Sequence, residues 1–90
     1  MAIESRKIER IIKGVANHNR IRILELLNME PELSVQQIST TLRIGYENAS
    51  DHVRKLAIAG LVMKRSFGKS VLHKLTPRGE VILTFCKTLQ

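Results

Sequence analysis

Ninety residues allow a single domain, 1–90, with a modest core, and a 43% hydrophobic share fits a folded globular chain and excludes a disordered one. No apolar run approaches the roughly 20 residues that a bilayer-spanning helix needs, and the opening MAIESRKIER lacks the apolar block of a signal peptide, so the chain is expected in the cytoplasm with no membrane partner. Fifteen Lys and Arg against eight Asp and Glu give a formal charge of +7, which favours a polyanion as partner: nucleic acid first, an acidic membrane surface second, with a merely basic protein as the plain alternative.

Residues 4–17 read as a first helix, with Ile8, Ile11, Ile12 and Val15 on one face and Glu9 and Lys13 spaced as an i,i+4 pair. Asn17 is a good N-cap for a second helix over about 20–28. It sends Ile21, Ile23, Leu24 and Leu27 inward, with Arg20 and Arg22 partly outward. Residues 28–32, with Pro31, read as a loop. Residues 34–56 then read as two short helices about a tight turn. Ser34 and Gln37 make a capping box, Leu33 and Ile38 a hydrophobic staple, and Val35, Ile38 and Leu42 one apolar face. Arg43-Ile44-Gly45 breaks the pattern, Gly45 being free to take a backbone conformation other residues avoid. Ala49, Val53 and Leu56 line the inner side of the following helix. Such a pair is either a helix-turn-helix, whose second helix commonly enters a DNA major groove, or an ordinary helical hairpin.

Gly60 closes that helix at C′. A strand over 61–66, a turn at Phe67-Gly68-Lys69 and a strand over 70–75 form one β-hairpin, which must lean on the helices to be stable. Thr76 as N-cap and Pro77 at N1 open a last helix with a stripe of Val81, Ile82, Phe85 and Leu89. Cys86, the one cysteine, excludes an internal disulfide and is expected as a small buried hydrophobe. The expected fold is therefore mostly α with one β-hairpin, in the order α-α-α-α-β-β-α of a winged helix-turn-helix, the hairpin being the wing.

Several segments also resemble one family, the ArsR-like transcriptional repressors. Ala16 to Leu24 (ANHNRIRIL) is similar to that family's A-D-P-T-R-L-R-I-L, and Leu42 to Val53 (LRIGYENASDHV) to its L-G-L-S-Q-S-T-V-S-R-H-L. Leu56 and Ala59-Gly60-Leu61-Val62 match its closing L and A-G-L-V, and Thr76-Pro77-Arg78-Gly79 resembles a segment common after the wing in winged-helix proteins. The similarity spans about residues 8–80. It implies a homodimer through the first and last helices, for which Ile8, Ile12, Ile82, Phe85 and Leu89 are the candidate contacts. The chain departs from the family's metal sensors. Ser34 and Gln36 stand where a C-x-C would supply thiolates, and the last helix offers Glu80 and Cys86 but no histidine. No metal and no cofactor are expected.

Winding the second helix of the motif at about 100° per residue turns Glu47, Ser50, Asp51 and Arg54 outward, flanked by Tyr46 and Asn48, with Lys55 to one side. Asn48 suits adenine, Arg54 guanine or phosphate, Ser50 either, and Tyr46 a phosphate. Glu47 and Asp51 oppose a polyanion; Asp51 stands where the family usually has arginine, and either it pairs with Lys55 or it reads a cytosine amino group. His52 matches a position that is usually histidine in the family and is expected in a structural hydrogen bond. Lys64, Arg65, Lys69 and Lys74 make the wing basic and are candidates for phosphate or minor-groove contact. The expected function is that of a sequence-specific double-stranded DNA-binding regulator, a homodimeric repressor on a partly palindromic operator, residing at the nucleoid when bound. A protein-interaction winged helix and a nonspecific architectural DNA-binding protein are the alternatives. An enzyme is not expected, since no phosphate-binding glycine loop and no nucleophile–base set can be argued.

Overall fold

Side-chain caps set the starts of three of the five helices among the described residues. The computed structural model describes residues 2–90 as α1 (Ser5–Val15), α2 (His18–Met29), α3 (Val35–Leu42), α4 (Tyr46–Ile58), β1 (Val62–Phe67), β2 (Ser70–Leu75) and α5 (Pro77–Thr88). Asn17 Oδ1 accepts from the amides of Asn19 and Arg20 at 2.9 and 3.2 Å, which starts α2 two residues earlier than its apolar pattern does. Ser34 and Gln37 form both halves of the capping box, at 3.1 and 2.8 Å. Thr76 Oγ1 accepts from the Gly79 amide at 3.0 Å and donates to the Gly60 carbonyl at 2.6 Å, so one hydroxyl starts α5 and fastens it to the end of α4. Each such cap is worth about 1 kcal/mol.

The turn inside the helix-turn-helix differs from expectation. Arg43 takes the left-handed conformation, at φ 56°, while Gly45 has an ordinary φ of −58° and precedes α4. The chain must reverse directly after Leu42. There the Ile44 amide donates to the Ser39 carbonyl (3.1 Å) and the Ser39 hydroxyl donates to the Ile44 carbonyl (2.6 Å), closing the bend two residues ahead of the glycine. The wing is also tighter than expected. Phe67 pairs with Ser70, leaving only Gly68 and Lys69 as the loop, with Gly68 at φ 61°. By the same register Lys74 pairs with Met63 and lies at the base of the hairpin, away from its tip.

The core is built from Ile23, Leu24 and Leu27 of α2, Ile38 of α3, Val53 and Leu56 of α4, and Leu61, all under 3% exposed. Ile21 is not among them. It is 37% exposed, because the α2 stripe through Ile23, Leu24 and Leu27 brings Arg20 to the inner side and turns Ile21 away. Leu26 and Leu83 are buried in their own right, and Cys86 is half-buried where full burial was expected. On α5 the core side is Gly79, Ile82, Leu83 and Cys86; Val81, Phe85 and Leu89 form a second apolar face that is exposed.

Two glycines permit close approach. A Cβ on Gly14 would lie 2.5 Å from the Cβ of Ala59, where α1 crosses the end of α4. A Cβ on Gly79 would overlap the carbonyl oxygen of Leu61. The hairpin is anchored at its root by Leu33, which pairs with His73 as an isolated bridge through bonds of 2.9 and 3.2 Å; the Glu32 amide donates to the same His73 carbonyl at 2.8 Å. The wing thus shares hydrogen bonds with the segment that leads into α3.

Candidate nucleic-acid interface

Ala49, Val53 and Leu56 fix the rotation of α4, because their burial leaves Tyr46, Glu47, Asn48, Ser50 and Arg54 on the open side. Asp51 is half-buried among them and accepts from two cations: Lys55 Nζ at 3.0 Å and Arg54 Nη2. Those bonds, Lys55 first and Arg54 second, hold its carboxyl below the usual carboxylate range. The outward side of α4 therefore carries a cluster of one acid and two cations, with a second acid, Glu47, near the helix N-terminus that balances the remaining charge. Backbone phosphates would meet little net charge on this helix itself.

The wing repeats the pattern. Both nitrogens of the Arg65 fork meet the Glu32 carboxylate, Nε–Oε1 at 2.8 Å and Nη2–Oε2 at 2.9 Å, and its guanidinium lies 5.3 Å from the centre of the Phe67 ring. The hydrogen bond from Arg65 lowers the Glu32 pKa and raises that of Arg65. Lys64 and Lys69 have no carboxylate partner among the described residues. Lys74 acts electrostatically on Glu32 from the hairpin base. The Glu32–Arg65 pair spans 33 positions of sequence and joins the α2–α3 loop to the wing. Neither residue's neighbours in the chain signal it. Arg43 is a further exposed cation, in the turn just ahead of α4.

His52 is half-buried and, as expected, structural: its Nδ1 accepts from Arg20 Nε at 3.2 Å, which places the ring proton on Nε2. Arg20 also donates to the Lys13 and Gly14 carbonyls at 3.3 and 3.1 Å, so α1, α2 and α4 meet at one guanidinium. Burial, and then the Arg20 charge, lowers the His52 pKa. His73 is buried with its Nδ1 2.9 Å from the Leu33 carbonyl, and burial lowers its pKa too. A lowered histidine pKa means that the unfolded chain binds the proton first. Stability is therefore present above about pH 6.5, the ordinary histidine value, and is lost as pH falls from there toward the folded-state values. Urea midpoints measured at about pH 7.5 and about pH 5.5 are expected to be lower at the acid end; equal midpoints would reject this role for the two imidazoles.

Of the apolar residues assigned to a dimer contact, Ile8, Ile12, Phe85 and Leu89 are exposed, Phe85 by 58% and Leu89 by 70%. Ile82 instead packs partly against the chain's own core. Ile3 and Val81 are exposed beside them. Among the described residues no three of His, Cys, Asp and Glu gather closely enough to hold a metal ion, and no helix is long and apolar enough to cross a membrane.

Comparison with known proteins agrees with this fold. A family model described as a winged helix DNA-binding domain matches residues 17–79. The transcriptional activator HlyU of Vibrio cholerae is 33% identical over 76 residues, covering 84% of this chain and 69% of that protein. A solved structure of HlyU from Vibrio cholerae superposes with a TM-score of 0.83 at 29% identity, covering 99% of this chain and 97% of that one. The homodimeric winged helix-turn-helix DNA-binding domain of a possible ArsR-family transcriptional regulator from Mycobacterium bovis has a TM-score of 0.85 at 24% identity, over 99% of this chain and 89% of that one, and shares the fold. This chain belongs to the winged helix DNA-binding domain family and is a relative of the transcriptional regulator HlyU.

Proposed function

We infer that the protein is a sequence-specific double-stranded DNA-binding regulator, a repressor that acts as a homodimer on a partly palindromic operator in the cytoplasm. The observation that carries this reading is the exposure of one polar side of α4, from Tyr46 to Arg54, on a helix whose other side is locked into the core. Because Asp51 and Glu47 together balance the charges of Arg54 and Lys55, specificity rests on side chains such as Asn48 and Ser50, and phosphate attraction rests on the wing and on Arg43. Ile8 and Ile12 of α1 and Phe85 and Leu89 of α5 form the dimer contact. In its support, α1 has 11 residues and buries only Val15, with Ile11 packed partly against the core; an isolated helix of fewer than about 12–15 residues is marginal in water.

The test is fluorescence anisotropy with a selected site and a randomised duplex pool across a salt series. A preferred site bound at least about 10³-fold more tightly than the pool is expected. Salt-sensitive binding without preference would mean an architectural role, and no binding would favour a protein-interaction module, with the acids Glu47 and Asp51 as its cause. The variant Arg65→Ala with Lys69→Ala is expected to lower affinity alike for all sequences and to reduce the salt slope by about 1–2. The lower figure applies if Glu32 keeps Arg65 from the phosphates; an unchanged slope would remove the wing from the interface.

A further inference from the structure

We propose that the groove between α1 and the C-terminal end of α4 binds a small amphiphilic organic anion, a carboxylate or sulfonate carried on an apolar body. The groove has a volume of about 560 Å³, within the range of roughly 300–1,000 Å³ that such ligands occupy. Its floor is apolar: Ile11 and Gly14 of α1, and Ile58 and Ala59 where α4 ends. Ile58 is 75% exposed, on the side of α4 opposite Ala49, Val53 and Leu56. An isoleucine so placed contributes nothing to the monomer core.

The rim is cationic, and among the described residues no Asp or Glu lines the groove. Two of its cations are already engaged by carboxylates, Lys13 by Glu9 at 3.2 Å and Lys55 by Asp51. The others are not. Arg20 is held by the Lys13 and Gly14 carbonyls and by His52, and Arg78 donates to the Ala59 carbonyl at 3.0 Å. Both guanidiniums are thereby fixed in place by neutral partners and keep their full charge. Lys7 and Arg10 have no carboxylate partner among the described residues.

Charge complementarity therefore calls for an anion, and the floor calls for apolar bulk beside it. A DNA phosphate satisfies the rim but leaves Ile58 and Ile11 against a hydrated backbone. A second copy of the chain is better served by Ile8 and Ile12, which point away from this flank of α1. An amphiphilic anion satisfies both demands at once, its head toward Arg10, Arg20 and Lys7 and its body across Ile11, Ile58 and Ala59.

The test is a fluorescence titration of the full chain with anilinonaphthalene sulfonate, followed by competition with decanoate, decanol and inorganic phosphate. Saturable binding is expected, displaced by decanoate and not by decanol or phosphate. Ile58→Glu and Arg10→Glu, both at exposed positions and so expected to keep the helical circular-dichroism signal, should each weaken dye binding by about tenfold or more. Undiminished binding in both variants would place the dye elsewhere and overturn the proposal. Displacement by decanol as effective as by decanoate would show that no anion is recognised, and displacement by phosphate would reduce the site to a bare cationic patch; either result overturns it. The titration contains no DNA, so its result is read separately from that of the duplex-binding assay.

Discussion

Gly79→Ala is expected to lower the thermal midpoint by roughly 10–20 °C, the shift that a loss of about 2–3 kcal/mol produces in a domain of this size. Two effects oppose each other. Alanine favours a helix over glycine by about 1 kcal/mol. Against this, the added methyl would overlap the Leu61 carbonyl oxygen, which is backbone and cannot rotate aside. That oxygen also accepts the Thr76 amide at 3.1 Å, and the Thr76 hydroxyl caps α5 and donates to the Gly60 carbonyl. Moving α5 out by the necessary distance loosens those bonds together with the packing of Leu83. The clash should prevail. A circular-dichroism melt at fixed protein concentration decides; a midpoint within about 2 °C of the parent would show that α5 can slide at no cost.

Ile12→Lys is expected to yield a folded monomer whose DNA affinity is at least about 100-fold weaker, since engagement of two half-sites by one particle is lost. Ile12 is 53% exposed, so the monomer core does not depend on it. In a two-fold interface the residue counts twice, and burying an isoleucine side chain stabilises by roughly 1.5–3 kcal/mol; removal from both sides, with a lysine charge added, therefore exceeds what a modest contact can absorb. Light scattering after size exclusion reads the mass and anisotropy reads the affinity. A dimer of parental stability would reject the α1 contact.

The features that were legible in the sequence are local ones. Asn17, Ser34 with Gln37, and Thr76 with Pro77 act within one helical turn, so their residue types alone place three helix starts. The inner face of α4 was legible for the same reason: Ala49, Val53 and Leu56 recur at helical spacing, while Ile58 lies on the opposite side. The second apolar face of α5 was not. A stripe through Val81, Phe85 and Leu89 looks like a core stripe, and only packing against α2 selects Leu83 instead. Ile21 failed in the same way, because Arg20 is retained on the inner side by His52 and the end of α1. The turn misled because chain reversal had to follow Leu42 at once, whatever residue came next. At the candidate interface, the Asp51–Lys55 spacing revealed one pair, whereas Glu32 with Arg65 is brought together by the wing docking on Leu33.

The slight attachment of α1 has a consequence for dosage. In the proposed homodimer, the helix that the monomer hardly buries is completed by the other copy, so the species able to occupy an operator forms in proportion to the square of the chain concentration whenever monomers prevail. Halving the chain concentration would then lower the concentration of that species about fourfold in that regime. A promoter under such control responds to the regulator's abundance as a threshold, and that steepness originates in a short helix with Ile8 and Ile12 left uncovered.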